Sequence, residues 1–110
     1  MKLILTGPAK RDIDAIWLHI ARVSQDIQAA EQFVARLENT LRQISDAPGI
    51  GVRCADVDPE GFRAVDGNYL IYYRVWKKRV AVVRVIHGSR DQRKALRQVP
   101  GSGSASRRRK

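Results

Sequence analysis

Cysteine is almost absent from this chain: Cys54 stands alone, so no internal disulfide can form. A reduced, cytoplasmic protein is the expectation that follows. Metal-ligand spacings are missing as well. One cysteine and two separated histidines, His19 and His87, make no zinc or haem pattern, so neither a metal nor another cofactor is expected. No apolar run approaches the roughly 18 residues of a membrane span. The opening MKLILTGP is too short to read as a secretory signal. Acidic residues are scarce: 11 Asp and Glu stand against 21 Lys and Arg, a formal charge of +10. Basic surfaces attract nucleic acid, acidic proteins or anionic membranes, and choosing among these takes a site rather than a total.

What is present fits one compact domain: 110 residues with an apolar fraction of 44%. Residues 2–5 (KLIL) read as a first strand. Thr6 or Gly7 can cap a helix, with Pro8 in its first turn, and Ile13, Ile16, Trp17 and Ile20 recur at helical spacing over about 15 residues. After the break at Ser24-Gln25-Asp26, Asp26 is placed to cap a second helix. Its apolar stripe is Ala30, Phe33, Val34, Leu37, Leu41 and Ile44. The two predict a helical hairpin.

Pro48-Gly49 stops the second helix, and Asp58-Pro59-Glu60-Gly61 has turn chemistry. Three strands are predicted over residues 62–66, 69–76 and 79–87. Asp66-Gly67-Asn68 makes a good hairpin link between the first two; Lys77-Lys78, lacking Gly or Asn, makes a weaker one. Ser89 followed by Gln92 fits a capping box for a short helix from Asp91 to Val99. Residues 1–99 form the predicted domain, and 100–110, ending in RRRK, a flexible basic tail. The expected class is α+β, in the order β-α-α-β-β-β-α. A mostly antiparallel four-stranded sheet carries the helical hairpin on one face, and the other face stays partly open.

The strands hold Arg74 and Arg84 among apolar residues. Two roles are open to each: a stem laid on apolar neighbours, or part of an anion-facing patch. If the turn pairs Val75 with Val80, Arg74 shares a face with Tyr72, Val83 and His87. Arg84 then lies on the other face beside Ile71 and Tyr73, and a one-residue bulge reverses that relation. His87 either holds a turn or serves as a base. Ser89 reads as a helix cap, not a nucleophile, and Arg90 and Asp91 can pair locally. Metal-free RNA cleavage needs an acid, a base and cations around the phosphate. Glu31, Glu38 and Glu60 all fall outside the strands, so cations are available and an acid–base pair is not evident. Trp17 is either core or, with Ile13 and Ile20, the border of a groove; Tyr72 and Trp76 have the same two readings.

Several stretches in fixed order resemble the ParE branch of the RelE/ParE toxin superfamily. They are TGPAKRDIDAIW (6–17), AAEQFVARL (29–37), Pro48-Gly49-Ile50-Gly51 followed by Arg53, YLIYY (69–73) and RVIHGSRD (84–91). The resemblance implies a bacterial toxin silenced by a cognate antitoxin. It implies one of two activities: poisoning of DNA gyrase, the first expectation, or ribosome-dependent mRNA cleavage, as in RelE-like members. An inactive antitoxin-binding module that keeps the fold is a third reading, beside the two activities. On the gyrase reading no residue is assigned as catalytic. Arg63, Arg74, Arg84, His87 and Arg90 are the expected target contacts, and Ile13, Trp17, Ile20, Tyr72 and Trp76 the expected antitoxin contacts.

Overall fold

The computed structural model describes residues 1–89. The elements are β1 (Lys2–Leu5), α1 (Gly7–Ser24), α2 (Ile27–Asp46), a short 3-10 turn (Pro48–Ile50), β2 (Val52–Arg53), β3 (Gly61–Asp66), β4 (Tyr69–Trp76) and β5 (Arg79–His87). The sheet order is β1-β5-β4-β3-β2. β1 runs parallel to β5, and the other pairings are antiparallel. The expected α+β class is what the chain adopts. The expected helix over 91–99, its capping box, Arg90 and the basic tail lie outside the described residues.

The helices begin where the side chains can cap them. Thr6 Oγ1 accepts from the Ala9 N–H at 3.3 Å, and its own hydroxyl reaches the Val82 carbonyl at 2.9 Å. One residue therefore caps α1 and fastens it to β5. Asp26 accepts from the Gln28 N–H at 2.9 Å and caps α2. Between the helices the chain reverses through Gln25, whose φ of 55° lies in the left-handed region. The end of α2 is tied back to the start of the chain: the Met1 ammonium donates to the Ser45 carbonyl at 3.0 Å, and the Ser45 hydroxyl donates to the Met1 carbonyl.

Two apolar clusters sandwich the sheet. The larger joins Ala9, Phe33, Leu37, Leu41 and Ile44 of the helices to Ile71, Tyr73, Val80, Val82 and Val85. Burying one such large side chain contributes roughly 1.5–3 kcal/mol, so this layer dominates stability. The smaller joins Cys54, Tyr72, Val83 and Ile86, with Val57 and Leu70 packed against it. Expecting the second face to stay open was therefore only partly right. The segment from Cys54 to Asp58 folds over it, held by Cys54 N–H to Gly61 O and by Val57 and Asp58 N–H to Cys54 O.

Two further corrections concern the sheet. It has five strands, not four: Val52 and Arg53 pair with Arg63 and Phe62, and the Arg53 guanidinium sits 5.2 Å from the Phe62 ring centroid. A two-residue strand has too little pattern to show in sequence. Val75 does pair with Val80, but the register shifts between Tyr72 and Tyr73. Tyr72 then faces Arg84 while Tyr73 faces Val82, leaving Val83 as the extra residue of a bulge. The simple register is reversed. Arg84 joins Tyr72 and Arg74 on one face, and His87, opposite Tyr69, belongs to the other.

Candidate functional site

Both strand arginines are neutralised from within the chain. Arg84 donates from Nε to Asp12 Oδ2 at 2.6 Å and from Nη2 to Oδ1 at 2.8 Å, a two-pronged pair buried between α1 and β5. The Val85 N–H also donates to Asp12, at 3.0 Å. Arg74 makes the same kind of pair with Asp58, at 3.0 and 3.1 Å, which pins the Cys54–Asp58 segment onto the sheet. Planar guanidinium matches carboxylate in this geometry, and leaving either partner alone in an apolar surround is costly. The expected anion-facing patch built on Arg74 and Arg84 is thus corrected: these residues tie elements together.

The tyrosines between them are equally engaged. Tyr72 is fully buried and its hydroxyl is hydrogen-bonded by Arg63. Burial raises its pKa, and the Arg63 contact offsets part of that. Tyr72 therefore contributes to the second core and not to an open groove. Tyr73 donates to the Pro48 carbonyl at 2.7 Å and accepts from the Gly51 N–H at 2.9 Å. Its pKa too is raised by burial, with the Gly51 N–H opposing. Burial likewise raises the Cys54 thiol, and the Asp58 carboxylate adds to the effect.

The end of β5 is exposed. The Ser89 N–H donates to His87 Nδ1 at 3.1 Å, and the Ser89 hydroxyl lies 2.8 Å from the same nitrogen. That makes Nδ1 the acceptor and leaves Nε2 for any outside partner. The His87 ring stands edge-on to Tyr69, 5.4 Å between centroids. His87, Tyr69 and Ser89 line a cavity of about 430 Å³ with Ala15, Ile16 and His19 of α1. Bringing His19 to His87 was not foreseen, because the fold alone joins positions so far apart in sequence. Among the described residues no cluster of His, Cys, Asp and Glu is placed to hold a metal ion.

The helical hairpin offers a different surface. Trp17 is half-buried and lines a shallow depression of about 200 Å³ with Glu31, Val34, Ala35 and Glu38 of α2. Ile13 and Ile20 pack against the main core. Leu18, Val23 and Ile27 are exposed toward the hairpin tip. Trp76 lies elsewhere, 65% exposed at the end of β4. The expected antitoxin contacts therefore separate. Trp17 faces an accessible groove, Ile13 and Ile20 serve mainly as core, Tyr72 is enclosed, and Trp76 belongs to another corner. Among the described residues no helix is long and apolar enough to cross a membrane.

A helical hairpin packed on one face of a five-stranded, mostly antiparallel sheet defines the class of small α+β domains. Within it the chain belongs to the ParE toxin family: the family described as "ParE toxin of type II toxin-antitoxin system, parDE" matches residues 3–92. The chain is similar to Toxin ParE1 of Caulobacter vibrioides, with 29% identity over 92 residues that cover 84% of this chain and 94% of the relative. Its fold is similar to a solved chain from the chromosomal ParDE TA system of P. aeruginosa. The TM-score is 0.69 at 20% identity, over 79% of this chain and 95% of the other.

Proposed function

We propose that this toxin arrests growth in the cytoplasm by binding DNA gyrase, and that a cognate antitoxin holds it inactive. The observation that carries this reading is the family match across residues 3–92, which spans both helices and all of the described sheet but Lys2. Geometry supports interference over chemistry. The two carboxylates nearest the sheet arginines, Asp12 and Asp58, are locked in ion pairs and are not available as a general acid or base. With Arg74 and Arg84 in internal ion pairs and Arg63 hydrogen-bonded to the Tyr72 hydroxyl, the contact set toward gyrase narrows to His87 and Arg90. The antitoxin seat is the Trp17 groove on the helical hairpin, where an amphipathic segment can lay an apolar face.

A second reading, ribosome-dependent mRNA cleavage, draws on the cavity shared by His19, Tyr69, His87 and Ser89. Imidazoles and hydroxyls beside one opening are groups that can move a proton. Two assays on the purified chain separate the readings. Gyrase poisoning predicts failure of plasmid supercoiling while translation in vitro proceeds. Transcript cleavage at ribosomes with normal supercoiling would replace the first reading with the second. Induced expression with no growth arrest would leave an inactive antitoxin-binding module.

A further inference from the structure

The corner where β4 turns into β5 combines an exposed aromatic ring with uncompensated positive charge. Trp76 is 65% exposed. Its cross-strand partner is Arg79, and the partner of Arg79 on β1 is Lys2. Direct partners on neighbouring strands point to the same face, so Trp76, Arg79 and Lys2 form a row across three strands, spaced by about 4.8 Å. Trp76 alternates with Tyr72 and Arg74, which places the row on the face turned away from the helical hairpin. Lys77 lies 4.9 Å from the Trp76 ring centroid. The same residues and Lys78 line a cavity of about 650 Å³.

Among the described residues no acidic side chain lines this cavity. Among the described residues, Lys2, Lys78 and Arg79 make no ion pair with a carboxylate. Two cations placed directly opposite on adjacent strands destabilise a sheet unless an anion relieves them. Arg74 and Arg84, by contrast, each have their aspartate. The exposed cations of this corner can therefore take an external anion, and the exposed indole favours one that carries a flat ring. Among the described residues Trp76 is the only apolar side chain in the lining. An acidic peptide docking here would find no row of apolar anchors, whereas a stacked base needs one flat ring and cations for its phosphates.

We infer that this corner is a binding site for single-stranded nucleic acid: a base stacks on Trp76 and the adjoining phosphates meet Lys2, Lys78 and Arg79. The site is independent of the gyrase reading and persists whichever target the toxin has.

The test is fluorescence anisotropy of a labelled oligothymidylate of about twelve nucleotides, within the usual site sizes, titrated with the full chain over a range of salt. Trp76→Ala is expected to weaken binding about 5- to 150-fold, the stacking contribution of one base, without changing the salt slope. Trp76→Tyr, which keeps a stacking face, is expected to retain most of the affinity. Lys78→Gln with Arg79→Gln is expected to reduce the magnitude of the salt slope by about 1.4, roughly 0.7 for each lost phosphate contact. The control, Arg22→Gln with Arg42→Gln, removes the same charge from exposed helix positions and is expected to leave affinity within about twofold, since neither residue lies at the corner. Equal binding by Trp76→Ala, or equal losses in the two charge pairs, would reduce the effect to general attraction by a basic protein and overturn the site. Tighter, Trp76-dependent binding of polyglutamate would overturn it in favour of an acidic protein partner.

Discussion

Asp12 of α1 grips Arg84 of β5 with both carboxylate oxygens, across 72 positions of sequence, and takes the Val85 N–H as well. The contact joins the helical layer to the sheet just where the β5 bulge interrupts the ladder. Removing one member of such a buried pair costs about 3–5 kcal/mol, because the other charge is left without a partner. Arg84→Ala is thus expected to lower the urea midpoint sharply and to lose growth arrest together with the fold. Arg84→Met combined with Asp12→Leu is expected to recover most of the stability. A double variant no more stable than Arg84→Ala would mean that the pair itself, and not the orphaned charge, sets the cost.

Gly51 and Tyr73 make a similarly specific contact. A Cβ at position 51 would collide with the Tyr73 hydroxyl, which is fixed between the Pro48 carbonyl and the Gly51 N–H. Gly51→Ala is expected to destabilise the chain by about 1–3 kcal/mol through this overpacking. Tyr73→Phe, which removes hydrogen bonds without collision, is expected to cost about 0.5–1.5 kcal/mol. Denaturant unfolding of both variants checks the order.

Gln25 ends α1 at a φ of 55°. A left-handed residue with a Cβ costs about 1–2 kcal/mol, and glycine gives back part of the gain through greater freedom in the unfolded chain. Gln25→Gly is expected to stabilise the protein by about 0.5–1 kcal/mol, raising Tm by about 2–6 °C for a domain of this size. Thermal unfolding followed by circular dichroism measures it.

Alkaline pH should weaken the fold. Cys54, Tyr72 and Tyr73 all have pKa values raised by burial above their ordinary 9.0, 10.0 and 10.0. Above those values the unfolded chain loses protons that the folded chain still holds, so stability falls as pH rises. The contribution is complete below pH 9.0 and is lost as pH climbs through the raised folded values. Tm is expected to decline beginning above about pH 9. Cys54→Ala is expected to remove the earliest part of that decline.

Among the described residues of the proposed gyrase contact set, His87 is exposed. Its alanine variant is expected to keep its Tm within the shift of about 0.5 kcal/mol usual for surface changes, while inhibiting supercoiling less well. Undiminished inhibition would assign His87 to the turn that it shares with Ser89.

Local signals carried most of the fold. Thr6 and Asp26 announce their helices because a cap acts on N–H groups two or three residues away. The long strands and the Gly67 reversal, at a φ of 59°, likewise follow from neighbours in sequence. Lys77, with a φ of 53°, shows that a tight turn can form on a residue poorly suited to it when strands of eight and nine residues pair on either side. What sequence could not disclose depends on distant partners. The β5 bulge exchanges the faces of Arg84 and His87, and no local pattern marks Val83 as extra. The aspartates that neutralise Arg84 and Arg74 come from a helix and a loop, so a search for carboxylates within the strands misses them. The expected contact surface was consequently drawn through two arginines that hold the molecule together.

The parallel pairing of β1 with β5 sets an order for biosynthesis. Among the described residues the first strand has its place between no two neighbours: it sits on the rim, and its single mate is the last of the strands. Until that mate has been made, the opening residues have nothing to zip against, and the Asp12 clasp has no arginine to close on. A nascent chain stopped before Arg79 is therefore expected to stay unfolded, visible as a random-coil circular dichroism spectrum. Toxicity would then arrive in one late step, once β5 has been made.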